Sequence, residues 1–107
     1  MATIKAVIVD PNGTVRATEI EESLGSYQAV VGGYIEGVFG NVATIYVNEE
    51  GLLRDLPFNP SATLFANRIL GHLGMRLFGT ALIVGPPNEG SDTPVRPAVV
   101  DYFIKEN

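Results

Sequence analysis

Two four-residue signals constrain this chain more than anything in its composition: Asp10-Pro11-Asn12-Gly13 and Asn48-Glu49-Glu50-Gly51, each preceded by a run rich in β-branched residues. In the first, Asp suits the opening turn position, Pro presets φ at the second, Asn tolerates the third and Gly accepts positive φ. The chain must reverse there. The strand read at Ile4–Val9 therefore returns at Thr14–Ile20 in a bulged hairpin built on a type I turn. The second signal repeats the logic, with an Asx residue opening and Gly closing. Strands at Tyr34–Phe39 and Val42–Val47, joined at Gly40-Asn41, lead into it. Leu52–Leu56 is expected to leave it as another short strand.

Between the hairpins the apolar spacing changes. Leu24, Tyr27, Val30 and Val31 follow the three-and-four rhythm of an amphipathic helix over about Glu22–Val31, with Glu21 and Glu22 at its positive end. Gly25 weakens that helix by up to ~1 kcal/mol relative to Ala, and Gly32-Gly33 supplies a left-handed stop. Asn59-Pro60 reads as an N-cap followed by Pro at the first helical position. That helix carries Leu64, Phe65, Arg68 and Ile69 and closes near Gly71 or Gly74. Leu77–Val84 reads as a buried strand with a bulge at Gly79. Residues 85–97 hold four prolines and form a loop, and Pro97–Lys105 offers Val99, Tyr102 and Phe103 as a short C-terminal helix. The expected fold is a single compact α+β domain over residues 1–107, mainly antiparallel β-hairpins with two to three short helices.

Length and charge narrow the function. A chain of 107 residues makes one core that buries roughly 65% of the unfolded surface. No apolar run approaches the ~18 residues of a membrane span; the longest, Ala6–Val9 and Ala81–Val84, have strand length. With no basic region leading into an apolar core at the N-terminus, no export signal is read, and the default compartment is cytoplasmic. Zero cysteines exclude a disulfide framework and thiolate chemistry. The net charge is −5 and the seven Lys and Arg are scattered, which argues against a nucleic-acid partner. The 12 acids are too few for a DNA-mimicking surface.

The residues that could carry chemistry have structural explanations beside them. His72 is the single histidine, placed late in a helix where the dipole would welcome it. One histidine and no cysteine cannot build a structural zinc site, and no metal or cofactor is expected. Glu49-Glu50 could serve acid/base work, but adjacent turn residues point apart. Glu36 interrupts an apolar strand; alternation places it on one face with Tyr34 and Val38. Facing inward it would need an arginine or backbone donors, and the outward, solvated reading is favoured. No serine lies in a Gly-x-Ser-x-Gly context, and no glycine pattern makes a phosphate loop. Tyr34, Tyr46, Phe58 and Phe65 have apolar or acidic neighbours and are expected in the core.

The string Val31-Gly32-Gly33-Tyr34-Ile35-Glu36, then Tyr46-Val47-Asn48-Glu49-Glu50-Gly51, then Leu56-Pro57 with Asn59 and Ala62-Thr63 resembles the family known as domain of unknown function 3846. The likeness runs from Ile4 to about Gly85, where Gly79–Gly85 is similar to the family's closing strand; residues 86–107 lie outside it. The resemblance implies a phage, plasmid or other mobile-element setting, notably in actinobacteria. It brings no catalytic residues.

Two functional expectations follow. The first is a small interaction or regulatory protein acting by binding another protein, with no catalytic constellation in the sequence to make it an enzyme. Tyr34, Glu36, Asn48, Glu49 and Asn59 are its candidate binding residues, because the family-like pattern falls on them. The alternative is a small-molecule or nucleotide-binding domain, possible as an enzyme, using the Tyr34/Glu36 face and the helix start at Asn59. An apolar pocket joining Glu36 to an arginine would favour the alternative; an exposed apolar patch would favour the first. A free sheet edge could also pair across a homodimer.

Overall fold

The turn signals and the two apolar runs resolve into one sheet. In a computed structural model describing residues 2–106, with side chains through Ile104, the order is β1 (Thr3–Val9), β2 (Val15–Glu21), α1 (Leu24–Val31), β3 (Ile35–Phe39), β4 (Thr44–Asn48), α2 (Pro60–Arg68), β5 (Ala81–Val84) and α3 (Pro97–Glu106). The strands lie in the order β2-β1-β5-β4-β3, and every neighbouring pair is antiparallel. The fold is α+β.

The sheet is covered on both faces, which explains the unbroken apolar runs in its middle strands. Val7, Val9, Ile45, Val47, Ala81 and Ile83 point to one face, under Ala62, Phe65 and Ala66 of α2 and Val99 and Phe103 of α3. Ile4, Ala6, Ile8, Tyr46, Leu82 and Val84 point to the other, under Tyr27 of α1. Both edge strands are thinly covered. β2 is exposed along most of its length, and only Val38 of β3 is buried.

Several boundaries differ from the sequence reading, each for a hydrogen-bonding reason. Helix α1 begins at Leu24 rather than Glu22, because the Ser23 hydroxyl accepts from the Ser26 N–H as its N-cap. Leu52–Leu56 is not a strand. Its backbone coils on itself, with Arg54 N–H donating to Glu50 O and Leu56 N–H to Gly51 O, each at 2.9 Å. The strand expected at Leu77–Val84 shortens to Ala81–Val84, since Gly79 at φ 82° turns the chain and only an isolated bridge, Phe58 to Phe78, precedes it. Helix α2 ends at Arg68, before the glycines. Tyr34 and Phe58 are 67% and 41% exposed, so neither is a core residue; Tyr46 and Phe65 are.

Asn59 joins these pieces. Its side chain is fully buried; Oδ1 accepts from the Ala62 N–H, and Nδ2 donates to the carbonyls of Val9 and Gly79, both at 2.9 Å. One amide thereby caps α2, holds the end of β1 and fixes the turn before β5. Asn59→Ala removes the cap and leaves two buried carbonyls short of a donor, so it should lower unfolding free energy by roughly 2–4 kcal/mol. Asn59→Asp restores the cap acceptor but not the donors and should not rescue stability. Urea-unfolding midpoints of the two variants check this.

Candidate functional site

The C-terminus of α1, the start of β3 and the turn after β4 meet at one end of the sheet. Gly32 closes α1 at φ 83°, with its N–H on Gln28 O. At Gly33 a Cβ would sit 2.8 Å from Asn48 Nδ2, so glycine is needed there for close approach rather than for its dihedral. That Nδ2 donates to Val31 O at 3.3 Å, and Asn48 Oδ1 accepts from the Glu50 N–H at 2.8 Å. Asn48, like Asn59, is a buried joint whose side chain is engaged by backbone.

The other three candidates are exposed and adjacent. The Glu49 N–H donates to Tyr34 O at 2.9 Å, extending the β3–β4 ladder by one pair. Glu36 shares a strand face with buried Val38, yet is itself exposed. Glu36, Asn48 and Glu49 line a cleft of about 130 Å³ with Leu52, Arg76 and Phe78. The Arg76 guanidinium lies 5.4 Å and 5.6 Å from the ring centres of Phe58 and Phe78, which pack edge-on to each other. The cleft has room for one side chain; pockets for drug-sized ligands begin at about 300 Å³. Beside it Arg54 pairs with Glu50 at 3.3 Å on the exposed surface, a contact worth a few tenths of a kcal/mol.

Arg76 is absent from the candidates drawn from sequence, although Arg76 and Phe78 flank Leu77 at strand spacing, a readable sign of a cation and a ring on one face. A second missed constellation lies under α1. The Tyr46 hydroxyl donates to the Asp92 carboxylate at 2.9 Å, Tyr27 stacks on Tyr46 at 5.1 Å, and Glu22 accepts from the Asp92 N–H. The Tyr27 hydroxyl is buried and has no hydrogen-bond partner among the described residues. Burial first, then the Asp92 carboxylate, pushes both phenols well above the usual tyrosine range. No local signal tied Asp92, in a proline-rich loop, to a tyrosine 46 residues earlier. The cluster anchors that loop against the sheet.

His72 lies just beyond the end of α2, and its Nε2 donates to the Phe39 carbonyl at 2.7 Å, since a carbonyl only accepts. The largest groove, about 480 Å³, runs between the β1–β2 pair and α3. It is lined by Lys5, Thr18, Glu19 and Asp101 among apolar residues. Among the described residues no three His, Cys, Asp or Glu side chains are grouped to hold a metal ion, and no helix is long and apolar enough to cross a membrane.

The tyrosine cluster predicts an alkaline limb of stability. The folded state keeps Tyr27 and Tyr46 protonated where the unfolded chain ionises near pH 10. Their contribution is whole below that pH and is lost as pH rises above it. Melting temperature should fall steeply above pH 10, and Tyr46→Phe should flatten the fall. The same variant should cost about 1.5–3 kcal/mol at neutral pH through the lost bond to a carboxylate. Thermal melts across the alkaline range measure both effects.

Comparison with curated proteins and with solved structures finds no match. A family model does match, over residues 4–107, and so takes in the tail beyond Gly85 as well as the two hairpins. The glycines, turn residues and Asn59 that carry the pattern are the joints of the fold described above, and the chain belongs to the domain of unknown function family DUF3846.

Proposed function

We propose that this protein is a small binding module that recognises another protein through the end of the sheet where Tyr34 and Glu49 pair. It would act as an interaction or regulatory protein in the cytoplasm, in the phage or mobile-element setting that the family likeness implies. The carrying observation is exposure. Among the described residues, Leu73, Leu53, Leu52 and Tyr34, at 86%, 83%, 68% and 67%, are the four most exposed large hydrophobic residues. Leu52 lines the Glu36–Arg76 cleft, and the backbone of Tyr34 is joined to Glu49 of the same cleft, so two of the four stand at or beside it. Apolar side chains around a stacked arginine and tyrosine are the composition of an interface centre, where Tyr and Arg are enriched.

The small-molecule alternative draws support from Glu36 and Arg76 sharing one cleft. Its volume weighs against a nucleotide, and no general base stands beside a nucleophile there.

Site-specific photocross-linking in the native host tests the proposal. A photoreactive residue at Leu53 or Tyr34 should yield one discrete protein adduct, and the same residue at Arg16, on the opposite sheet edge, should not. Equal labelling from both edges, or no discrete adduct from Leu53 and Tyr34, would sink the reading.

A further inference from the structure

Backbone hydrogen-bond parity along β3 identifies which groups of this edge strand are free. In an antiparallel ladder, alternate residues turn both N–H and C=O toward the neighbouring strand, and the rest turn them away. Tyr34 bonds to Glu49 at one end and Gly40 to Ala43 at the other, in register with the pairs Glu36–Val47 and Val38–Ile45. The even-numbered residues therefore face β4. Ile35, Gly37 and Phe39 face outward, and His72 already occupies the Phe39 carbonyl. The N–H and C=O of Ile35 and Gly37 therefore point out of the sheet at its β3 edge.

From this we infer that β3 is an acceptor edge for an added strand, and that its occupant is an extended segment of another protein carrying a Lys or Arg that enters the Glu36/Glu49 cleft. This rests on the protein-binding reading and names its partner chemistry. Three features support it. Gly37 carries no side chain of its own, and the Phe39 ring folds over it on the Tyr46 side of the sheet, leaving its backbone N–H and C=O at the edge. Tyr34 and Phe39, 67% and 52% exposed, bracket the free groups with aromatic surface. The cleft beside Glu36 holds one side chain, and its two carboxylates outnumber the single guanidinium of Arg76, which is stacked on the Phe58 and Phe78 rings. Strand addition uses main-chain bonds for affinity and such side-chain pockets for specificity.

The alternatives fit less well. The other edge, β2, carries Arg16, Glu19 and Glu21, the charged blunting expected of a protected edge. A second copy of β3 centred on Glu36 would set two Glu36 carboxylates directly opposite each other. Centred on Gly37, it would need the Phe39 carbonyl that His72 holds.

The test pans a displayed random-peptide library on the whole protein, then follows backbone amide exchange with a selected peptide. Selected peptides should carry one Lys or Arg among alternating apolar residues. They should protect the Ile35 and Gly37 amides, which exchange freely in the protein alone. Gly37→Pro, whose lost N–H points away from β4, should weaken binding roughly tenfold or more. Glu36→Lys, an exposed change that does not depend on Gly37→Pro folding, should do the same. Failure to select such peptides, or unchanged binding by Glu36→Lys, would overturn the inference. So would protection of Ile35 and Gly37 in a dimer formed without peptide. A discrete adduct from Leu53 together with any of these failures would leave the binding reading standing and remove only the strand-addition mode.

Discussion

The fold depends on a buried primary amide that cannot be left half satisfied. Asn59 has two donors and one acceptor oxygen in a site with no solvent exposure, and all three functions are met by backbone from β1, the turn at Gly79 and the first turn of α2. A buried amide without partners would cost several kcal/mol. The three segments must therefore arrive together or not at all. This couples the first hairpin to the last strand, which has only four residues and depends on its neighbours for hydrogen bonds on both sides. Asn48 repeats the device at the other end of the sheet, tying α1 to the turn after β4.

These joints explain how the exposed residues around them are held in place. Asn48 and Asn59 hold the backbone from within, while the Tyr34, Glu36 and Glu49 side chains stand exposed around them. Tyr34, Glu36, Glu49 and Arg76 extend from a frame that would persist without them, so their side chains are available for recognition. The tyrosine cluster under α1 does related work for the tail. Asp92 and the Val95 N–H on Lys5 O hold the proline-rich segment against β1, where β5 is too short to pair. The segment after Gly85 is thus part of the domain.

Legibility followed the range of the interactions. The hairpin at Asp10–Gly13 and the Asn59-Pro60 helix start were readable because turn and cap chemistry is decided within four residues. Leu52–Leu56 was misread because apolar content suggested a strand, while the bonds from Arg54 to Glu50 and from Leu56 to Gly51 close a coil that places Leu52 and Leu53 in solvent. In the candidate site, the exposed trio Tyr34, Glu36 and Glu49 was visible as a pattern. Asp92 and the role of His72 were not, since each contacts a segment more than thirty residues away, and of Arg76 only the neighbouring Phe78 was within local reach, its contact with Phe58 and its place beside Glu36 being long-range.

By itself the sequence determined the local geometry: where the chain turns, where two helices begin and stop, and that no thiol or histidine-rich chemistry is available. Those features rest on φ preferences, caps and residue inventory, which act over a few residues. Only the tertiary structure decided that β5 inserts between β1 and β4, leaving β2 and β3 as the edges. It likewise decided that Asn48 and Asn59 are buried joints while Arg76 meets Glu36 in one cleft. Burial, edge status and the partner of a buried amide are properties of which distant segments pack together, and strand order is what brings those segments side by side.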